Sequence, residues 1–300
     1  MTPALRFAHV SKRFGALQAL DDASFQIESG EVFGYLGPNG AGKTTSLRII
    51  LGLVHADSGD VAILGQPARR AASRRCVGFL PGDLALYPDL TCAEALDHFA
   101  GYRPERPPVL RRALLDAFGV TPDVLARRIK FLSHGTRQKI GLVVAMQHDP
   151  DLLLLDEPST GLDPLVQQAF REAVLDFARR GRAVLFSSHV LSEVEQVCGR
   201  VAILRAGRIV AVDAVSELRG RTVRRLRVRF RGAWPDGLET TPGVVAAERV
   251  GEEWQLSVRG DVNPLLRRLA LRDVASLVFP EPELEDVFLA YYREGGEERP

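Results

Sequence analysis

The nine residues Gly37–Thr45, GPNGAGKTT, combine three glycines, a lysine and two hydroxyl side chains. Glycine loses more conformational freedom on folding than any other residue, so such a cluster needs a physical reason. The glycines let successive backbone N–H groups curve around an anion, and a helix N-terminus adds partial positive charge. In this G-x-x-x-x-G-K-[ST] pattern, Lys43 reaches the β- and γ-phosphates and Thr44 binds Mg²⁺. We therefore predict a nucleoside triphosphate site, against the alternative of a glycine-rich turn without a ligand.

A second group of chemically capable residues closes the stretch Asp151–Asp156, whose four leucines indicate a buried parallel strand. Asp156 and Glu157 emerge where that strand ends, and ligands of open α/β sheets bind at this edge. Asp156 suits a water-bridged Mg²⁺ contact, and Glu157 suits polarising the water that attacks the γ-phosphate. The alternative is a pair of solvated carboxylates in a strand-end turn.

The surrounding elements are predicted to position these residues. The apolar run EVFGYL precedes the glycine-rich stretch as a buried strand, and TTSLRIILGLV follows it with helical spacing of apolar residues. Around the two carboxylates, LLLLD, VQQAFREAVLDFARRG and AVLFSSH read as strand, helix and strand. Alternation of this kind predicts a parallel sheet in an α/β fold.

A third stretch, FLSHGTRQK from Phe131 to Lys139, reads as a helix start with Ser133 as its cap. Walker A, this stretch, the Walker B strand and STGLD follow one another in an order that resembles an ATP-binding cassette (ABC) ATPase. The family signature is LSGGQ, whereas this chain has LSHGT over Leu132–Thr136. His134 and Thr136 are departures, while the hydroxyl of Ser133 and the backbone of Gly135 match the family's γ-phosphate contacts. We interpret His134 as an outward-facing variant.

The resemblance assigns roles to three more residues. Phe14 matches the aromatic residue that stacks on adenine, with a core strand-end phenylalanine as the alternative. His189 matches the switch histidine that senses γ-phosphate, and Asp163 matches the loop aspartate that couples two cassettes. Catalysis is then expected from Lys43, Glu157 and His189. The ATP contacts that the resemblance implies come from Phe14, Gly37, Pro38, Asn39, Gly40, Ala41, Gly42, Lys43, Thr44, Thr45, Ser133, Gly135 and Asp163.

The chain departs from the family in the Q-loop region, VGFLPGDLALYPDL. The family has glutamine after the proline, and here that place is Gly82, which has no side chain. The next residue, Asp83, has a carboxylate that can bind Mg²⁺ or its water instead. The expected metal ligands are therefore Thr44, Asp156 and, as an open alternative, Asp83.

The fold expected from pattern and resemblance is α/β, and its P-loop core comprises three parts. These are a parallel-sheet RecA-like subdomain, an antiparallel β-subdomain and a helical subdomain at about 90–145, which opens with a capping box at TCAE. The cassette is expected over 1–218. Residues 219–300 are expected to form a small α+β accessory domain of short strands with two helices.

In the accessory region, RTVRRLRVRFR is a basic stripe with two interpretations. One is a contact with anionic lipid or nucleic acid. The other is a strand with Leu226, Val228 and Phe230 inward and its arginines in water, which the arginine-rich usage of the whole chain favours. The tail EGGEERP is expected to be disordered.

Composition excludes several function classes. The net charge of +1 gives no overall field for nucleic acid or acidic lipid, so no nucleic-acid partner is expected. Three scattered cysteines lack metal-ligand spacing and fit a reducing compartment. No signal peptide is visible, and no apolar run approaches the roughly 20 residues that cross a bilayer.

The resemblance implies partners. ATP is held between Lys43 of one cassette and Ser133 of another, so a head-to-tail dimer is expected, either a homodimer or one with a related cassette. The segment Leu84–Leu90 matches the place where the family receives a membrane permease, with an ordinary surface loop as the alternative. GLDPLVQQAF and LEDVFLAYY resemble a bacterial exporter subgroup. The expected function is thus an ATP-hydrolysing exporter subunit at the cytoplasmic face of the plasma membrane.

Two other functions stay open. One is a soluble single-cassette ABC ATPase acting on a ribosome or DNA, although Lys43 to Ser133 holds no coiled-coil heptads of the chromosome type. The other is an ATP-binding regulator with little turnover, which Gly82 and the altered signature allow and Glu157 opposes.

Overall fold

The computed structural model describes residues 2–221, 224–232 and 237–280. The chain divides into two compact units, residues 1–212 and 213–300. The predicted 218/219 boundary falls within a helix of the second unit, and the division of function between the two parts stays a prediction. In the described part of the chain, no helix is both long and apolar enough to cross a membrane.

The first unit holds ten strands and seven α-helices among its described residues, and the last two residues of the tenth strand belong to the second unit. The strands are β1 (Leu5–Phe14), β2 (Leu17–Ile27), β3 (Val32–Leu36), β4 (Ser58–Ile63), β5 (Gln66–Pro67), β6 (Val77–Leu80), β7 (Leu152–Asp156), β8 (Ala183–Ser188), β9 (Arg200–Arg205) and β10 (Arg208–Ala214). The helices are α1 (Lys43–Ile50), α2 (Cys92–Gly101), α3 (Arg111–Ala117), α4 (Pro122–Leu125), α5 (His134–Met146), α6 (Pro164–Arg179) and α7 (Leu191–Val197).

A six-stranded sheet, in the order β10-β9-β3-β8-β7-β6, forms the centre of the first unit. Strands β3, β6, β7, β8 and β9 pair in parallel. The expected parallel sheet is therefore confirmed. Because β3, β8, β7 and β6 are neighbours, the chain segments that follow them meet at one edge of the sheet. These segments carry the predicted phosphate-binding stretch Gly37–Thr45, called the phosphate loop below, and His189, Glu157 and Gly82.

A four-stranded antiparallel sheet, in the order β2-β1-β4-β5, packs against this centre. Aromatic rings join the two sheets, since Phe25 of β2 lies 5.6 Å from Phe33 and 5.1 Å from Tyr35, both of β3, between ring centroids. Phe33 and Tyr35 are fully buried. The β3 strand that carries the phosphate loop is thus fixed by packing on the antiparallel sheet.

The predicted helical region contains α2 to α5. The capping box is present, because Thr91 accepts a hydrogen bond from the Glu94 N–H and the Glu94 carboxylate accepts one from the Thr91 N–H. Ser133 caps α5 as predicted, accepting from the N–H of Thr136 at 3.2 Å. This places the signature stretch at the start of a 13-residue helix.

The second unit contains two α-helices and four strands among its described residues. They are α8 (Val215–Arg221), β11 (Arg224–Phe230), β12 (Val244–Val250), β13 (Glu253–Val258), α9 (Asn263–Leu269) and β14 (Val274–Val278). The strands form an antiparallel sheet in the order β12-β13-β11-β14, so this part is α+β as expected. The predicted helix in LEDVFLAYY and the tail EGGEERP lie outside the described residues.

In β11, Leu226 and Val228 are buried and form a core with residues of β13 and α9, and Phe230 packs against that core. The arginines that alternate with them, Arg225 and Arg227, are exposed. The predicted inward and outward alternation is confirmed, while a contact of these arginines with lipid or nucleic acid stays untested.

Candidate functional site

The loop between β3 and α1 has a backbone that requires glycine at two positions. Gly40 has a φ of +81° and Gly42 has a φ of +114°, both in the left-handed region. A Cβ at Gly42 would also lie 2.5 Å from the carbonyl oxygen of Ala19, whereas one at Gly40 would meet nothing within 4 Å. The predicted cradle thus depends on glycine for backbone conformation and for close packing onto β2.

Lys43 begins α1, and its side chain is only 6 % exposed. The Nζ atom donates to the carbonyl oxygens of Gly37 at 2.5 Å and Pro38 at 3.3 Å, and lies 4.0 Å from Oε1 of Glu157. Burial lowers the pKa of Lys43, and the negative charges of Glu157 and Asp156 oppose that shift. The ammonium is therefore enclosed by the loop and lies next to the carboxylates of the second motif.

Asp156 ends β7, and both of its carboxylate oxygens accept hydrogen bonds from hydroxyl groups. Thr44 Oγ1 donates to Oδ2 at 3.2 Å, and Ser187 Oγ donates to Oδ1 at 3.1 Å. Burial raises the pKa of Asp156, and these two hydrogen bonds act against it. A carboxylate and a hydroxyl side by side are the hard oxygen donors that Mg²⁺ takes in phosphate-binding sites, so Thr44 and Asp156 fit that ion.

Glu157 follows with a φ of +50°, an unusual backbone conformation for a residue with a side chain. Its Oε2 lies 2.7 Å from Nδ1 of His189, which follows β8. Such backbone outliers cluster at functional sites, where the surrounding structure holds them in place. The conformation turns Glu157 away from the strand direction and places it between Lys43 and His189.

These residues line one cleft of about 800 Å³. Leu17, Leu53 and Phe79 also line the cleft, although their residue types did not predict this. Ser187 was likewise not predicted as a partner of Asp156. The serine pair at the end of AVLFSS was the available signal for Ser187. The predicted site residues that line the cleft are Phe14, Pro38, Asn39, Gly40, Gly42, Lys43, Thr44, Thr45, Asp83, Asp156, Glu157 and His189.

Two predicted site residues of the phosphate loop, Gly37 and Ala41, do not line the surface of the cleft. Ala41 is buried, at 3 % exposure. At Gly37 a Cβ would lie 2.6 Å from the carbonyl oxygen of Leu204, so the chain packs tightly against β9 there. Gly37 does not have a left-handed backbone, so the close approach of β9 is the reason that glycine is needed at this position.

Phe14 lies at the rim of the cleft with 47 % of its surface exposed, so it is not the core residue of the alternative interpretation. Nζ of Lys12 lies 5.3 Å from the centroid of its ring.

The Q-loop departure is also at the cleft. A Cβ at Gly82 would lie 3.5 Å from Asp156, which is an ordinary contact distance, and Asp83 is exposed on the cleft wall. The glycine is therefore a substitution that the packing does not demand.

Ser133, Gly135 and Asp163 lie outside the set of residues that line this cleft. Asp163 caps α6, accepting from the N–H of Val166 at 3.0 Å, and this bond, followed by the charge of Lys139 at 3.6 Å, lowers its pKa. A Cβ at Gly135 would lie 2.5 Å from the carbonyl oxygen of Gly161. The signature stretch and the STGLD loop therefore pack on each other, and of that loop Thr160 lines the cleft while Asp163 does not.

Comparison with known proteins identifies relatives whose names agree with one another. Residues 20–160 match the family described as ABC transporter. An ABC transporter ATP-binding protein from Synechocystis is 33 % identical over 93 % of this chain and 80 % of its own length. The Nod factor export ATP-binding protein I of Paraburkholderia xenovorans is 35 % identical over 95 % of this chain and 96 % of its own length. The protein of that name from Rhizobium etli is 33 % identical over 95 % and 92 %.

Solved structures agree with the fold over about 70 % of the chain. The structure of an ATP-binding subunit of an ABC transporter superimposes with a TM-score of 0.68 at 30 % identity, covering 72 % of this chain and 92 % of that one. A dimeric ATP-binding cassette in a post-hydrolysis state, with ADP and Pi, gives a TM-score of 0.62 at 21 % identity over 70 % and 98 %. The second likeness shows the fold alone.

Proposed function

The chain belongs to the family of ABC transporter ATP-binding proteins and is an ABC ATPase, and from this premise we propose that it is the energising subunit of an exporter. In this proposal it drives a separate integral membrane permease from the cytoplasmic face of the plasma membrane. ATP binding closes two copies head to tail, and hydrolysis lets them open. The accessory part, residues 219–300, either regulates turnover or dimerises.

The observation that carries the ATPase proposal is the convergence of Lys43, Thr44, Asp156, Glu157 and His189 on one cleft. Lys43 binds the β- and γ-phosphates, and the glycine-rich loop orients them through its N–H groups. Thr44 and Asp156 would hold Mg²⁺, which supplies charge neutralisation at the phosphates when bound. Each group is on a sheet edge or helix start, so the geometry is fixed before a nucleotide enters.

Glu157 and His189 divide the remaining work. Glu157 accepts the proton of the attacking water as general base. His189 Nδ1 lies 2.7 Å from Glu157 Oε2, which holds the carboxylate in position and leaves the other ring nitrogen for a γ-phosphate oxygen. Asp83 is our candidate for the role of the missing Q-loop glutamine, because it lies on the cleft wall directly after Gly82.

A second copy completes the site in this proposal. Ser133, Gly135 and Asp163 belong to a surface that does not line the cleft of their own chain. A head-to-tail arrangement brings this surface over the cleft of the partner, so the γ-phosphate is bound from both sides. ATP then favours the closed state because it binds that state better than the open one.

A surface aromatic cluster supports the permease proposal. Tyr87, within Leu84–Leu90, packs edge-on against His98 at 5.0 Å between centroids, and His98 packs against Tyr102 at 5.0 Å. Tyr87 is 51 % exposed and Tyr102 is 63 % exposed. Exposed aromatic side chains are enriched at protein interfaces, and the export names of the relatives fit a membrane partner.

The test uses Glu157→Gln, which is expected to bind ATP and hydrolyse it at least about 100-fold more slowly. The tagged variant is expressed in its native cell. Its partners are then isolated from solubilised membranes in the presence of Mg²⁺ and ATP. A stoichiometric multi-helix membrane protein is the expected result, and Lys43→Ala is the control that should lose ATP-dependent capture. Recovery of ribosomes, DNA or a soluble dimer alone would contradict the exporter proposal.

A further inference from the structure

We propose that Asp57 is a positioning residue for the adenine base, acting through Lys12 to hold the ring of Phe14 as a stacking platform. The inference rests on the proposed function, in which Phe14 stacks on the adenine of bound ATP. It assigns a nucleotide-recognition role to a residue that follows α1 and precedes β4, outside the phosphate loop. It also makes the face of the Phe14 ring that Lys12 contacts part of the site.

Asp57 holds the end of β1 at three points. Its Oδ1 accepts a hydrogen bond from Nζ of Lys12 at 2.7 Å, and its Oδ2 accepts one from the N–H of Arg13 at 2.7 Å. Its own N–H donates to the carbonyl oxygen of Ser11 at 2.9 Å. One residue thus contacts three consecutive residues of β1, the last of which directly precedes Phe14.

The opposite side of the same strand end has a second brace. Nε of Arg13 donates to Oε1 of Gln18 at 2.9 Å, and Nε2 of Gln18 donates to the carbonyl oxygen of Leu20 at 2.6 Å. Phe14 pairs with Leu17 across the tight turn that joins β1 to β2. The ring therefore projects from a strand end held on both sides, which limits the entropy lost when a base stacks on it.

Lys12 links the carboxylate to the ring. Its Nζ lies 5.3 Å from the centroid of Phe14, within the range of a cation–π contact, and its side chain is only 15 % exposed. The charge of Asp57 keeps the ammonium at this place, and the hydrogen bond from Lys12 is the main reason that the pKa of Asp57 lies below its usual range. One side of the ring is thus occupied by a held cation, and Phe14, 47 % exposed, also lines the cleft.

Two contributions to ATP affinity, both of which depend on the Phe14 ring, are then removable. Base–aromatic stacking is worth about tenfold or more in affinity per base, and an exposed cation–π contact about threefold. Asp57→Ala should raise the Kd of Mg–ATP about fivefold to tenfold, because the strand end loosens and Lys12 leaves the ring. Asp57→Asn, which keeps an acceptor for the Arg13 N–H, should recover part of the affinity. Lys12→Met should cost about threefold.

The experiment measures Mg–ATP and Mg–tripolyphosphate binding to the full chain by isothermal titration calorimetry. Tripolyphosphate has the phosphates and lacks the base, so its Kd should stay within about twofold of wild type in all three variants. In a Phe14→Ala background, Asp57→Ala should cause no further loss of ATP affinity. This non-additivity is the signature of a residue that acts through the ring.

Glu31→Gln is the matched control. Glu31 pairs with Arg200 at 2.9 Å, and Arg200 lies 5.5 Å from the Phe33 ring, so it repeats the carboxylate–cation–ring arrangement at the other end of β3. Glu31→Gln should leave the Kd of Mg–ATP and the Kd of Mg–tripolyphosphate unchanged.

Each other outcome has a defined meaning. Three results would overturn the inference and leave the proposed function standing. They are an equal loss of affinity for ATP and for tripolyphosphate in Asp57→Ala, an unchanged ATP affinity in that variant, or losses of ATP affinity that add when Asp57→Ala is combined with Phe14→Ala. If the wild-type chain binds neither ligand, the proposed function fails and the inference fails with it.

Discussion

At the scale of single residues, the site concentrates charge where water is scarce. Asp156 is 6 % exposed and Lys43 is 6 % exposed, and burial is the largest cause of the pKa shift of each. Burial disfavours the charged forms of both side chains, and these are the forms that the proposed function requires for binding Mg²⁺ and phosphate. The chain without nucleotide therefore bears a stability cost at the residues to which the proposed function assigns the chemistry.

Asp156→Asn should expose this cost. The pKa of Asp156 is raised in the folded chain, so the folded state binds the proton more tightly, and stability is lost as pH rises through that raised pKa. Asparagine carries no charge and escapes the loss. Near neutral pH the variant should melt about 2–4 °C higher, equivalent to about 1 kcal/mol, and hydrolyse no ATP.

Differential scanning calorimetry without nucleotide, across a pH series, checks this expectation. The advantage of the variant should shrink as pH falls towards the range where Asp156 is protonated. A lower melting temperature at neutral pH would show that the hydrogen bonds from Thr44 and Ser187 outweigh the buried charge.

At the scale of elements, the phosphate loop joins the fully buried strand β3 to the helix α1, whose first residue is Lys43. Its six intervening residues turn the chain within the sheet edge, and only two of them carry the left-handed backbone. The two differ in their surroundings, since Gly42 packs on β2 and Gly40 faces open space.

This difference gives a graded prediction. Gly42→Ala combines backbone strain with a clash against the Ala19 carbonyl, and should lower stability by about 2–4 kcal/mol and abolish ATP binding. Gly40→Ala has strain alone, and should cost about 1 kcal/mol. Urea unfolding and ATP titration measure both, and equal effects of the two substitutions would show that packing on β2 does not matter.

The elements that bear the site were largely predictable, because their periodicity and punctuation are local properties. EVFGYL, LLLLD and AVLFSS are strands, and Ser133 and Thr91 cap helices as expected. Contacts set by sheet order were less accessible. The pairing of Ser187 with Asp156 depends on β7 lying beside β8, and the left-handed backbone of Glu157 has no signal in its residue type.

Another such contact joins two motifs that the sequence separates. A Cβ at Gly161 would lie 2.3 Å from Cδ2 of His134, so the imidazole that replaces a signature glycine packs over the STGLD loop. His134 is exposed, as interpreted, and its place against Gly161 could only come from the tertiary structure.

At the scale of the whole molecule, the two compact units have separate hydrophobic cores. The core of the second unit gathers around β11, where Leu226 is fully buried and Arg227, the next residue, is exposed. Neighbouring residues of opposite orientation permit a direct test of which face maintains this unit.

Leu226→Ala should destabilise the second unit by about 2–4 kcal/mol, because it removes buried methyl groups and leaves a cavity. Arg227→Gln should change its stability by less than about 0.5 kcal/mol, since an exposed charge contributes little. Hydrogen exchange of residues 224–280 reports on this unit in the full chain. A large loss of stability in Arg227→Gln would contradict the interpretation that the arginine face is solvated.

The central proposal is an ATP site shared by two copies, and sedimentation velocity of Glu157→Gln with Mg–ATP tests it most directly. The matched variant adds Ser133→Asp, since aspartate preserves the cap of α5 while its charge repels the triphosphate of the partner. We expect an ATP-dependent dimer for the first protein, and a monomer with unchanged ATP affinity for the second. A Glu157→Gln chain that binds ATP and stays monomeric, or an equally stable dimer with Ser133→Asp, would contradict it.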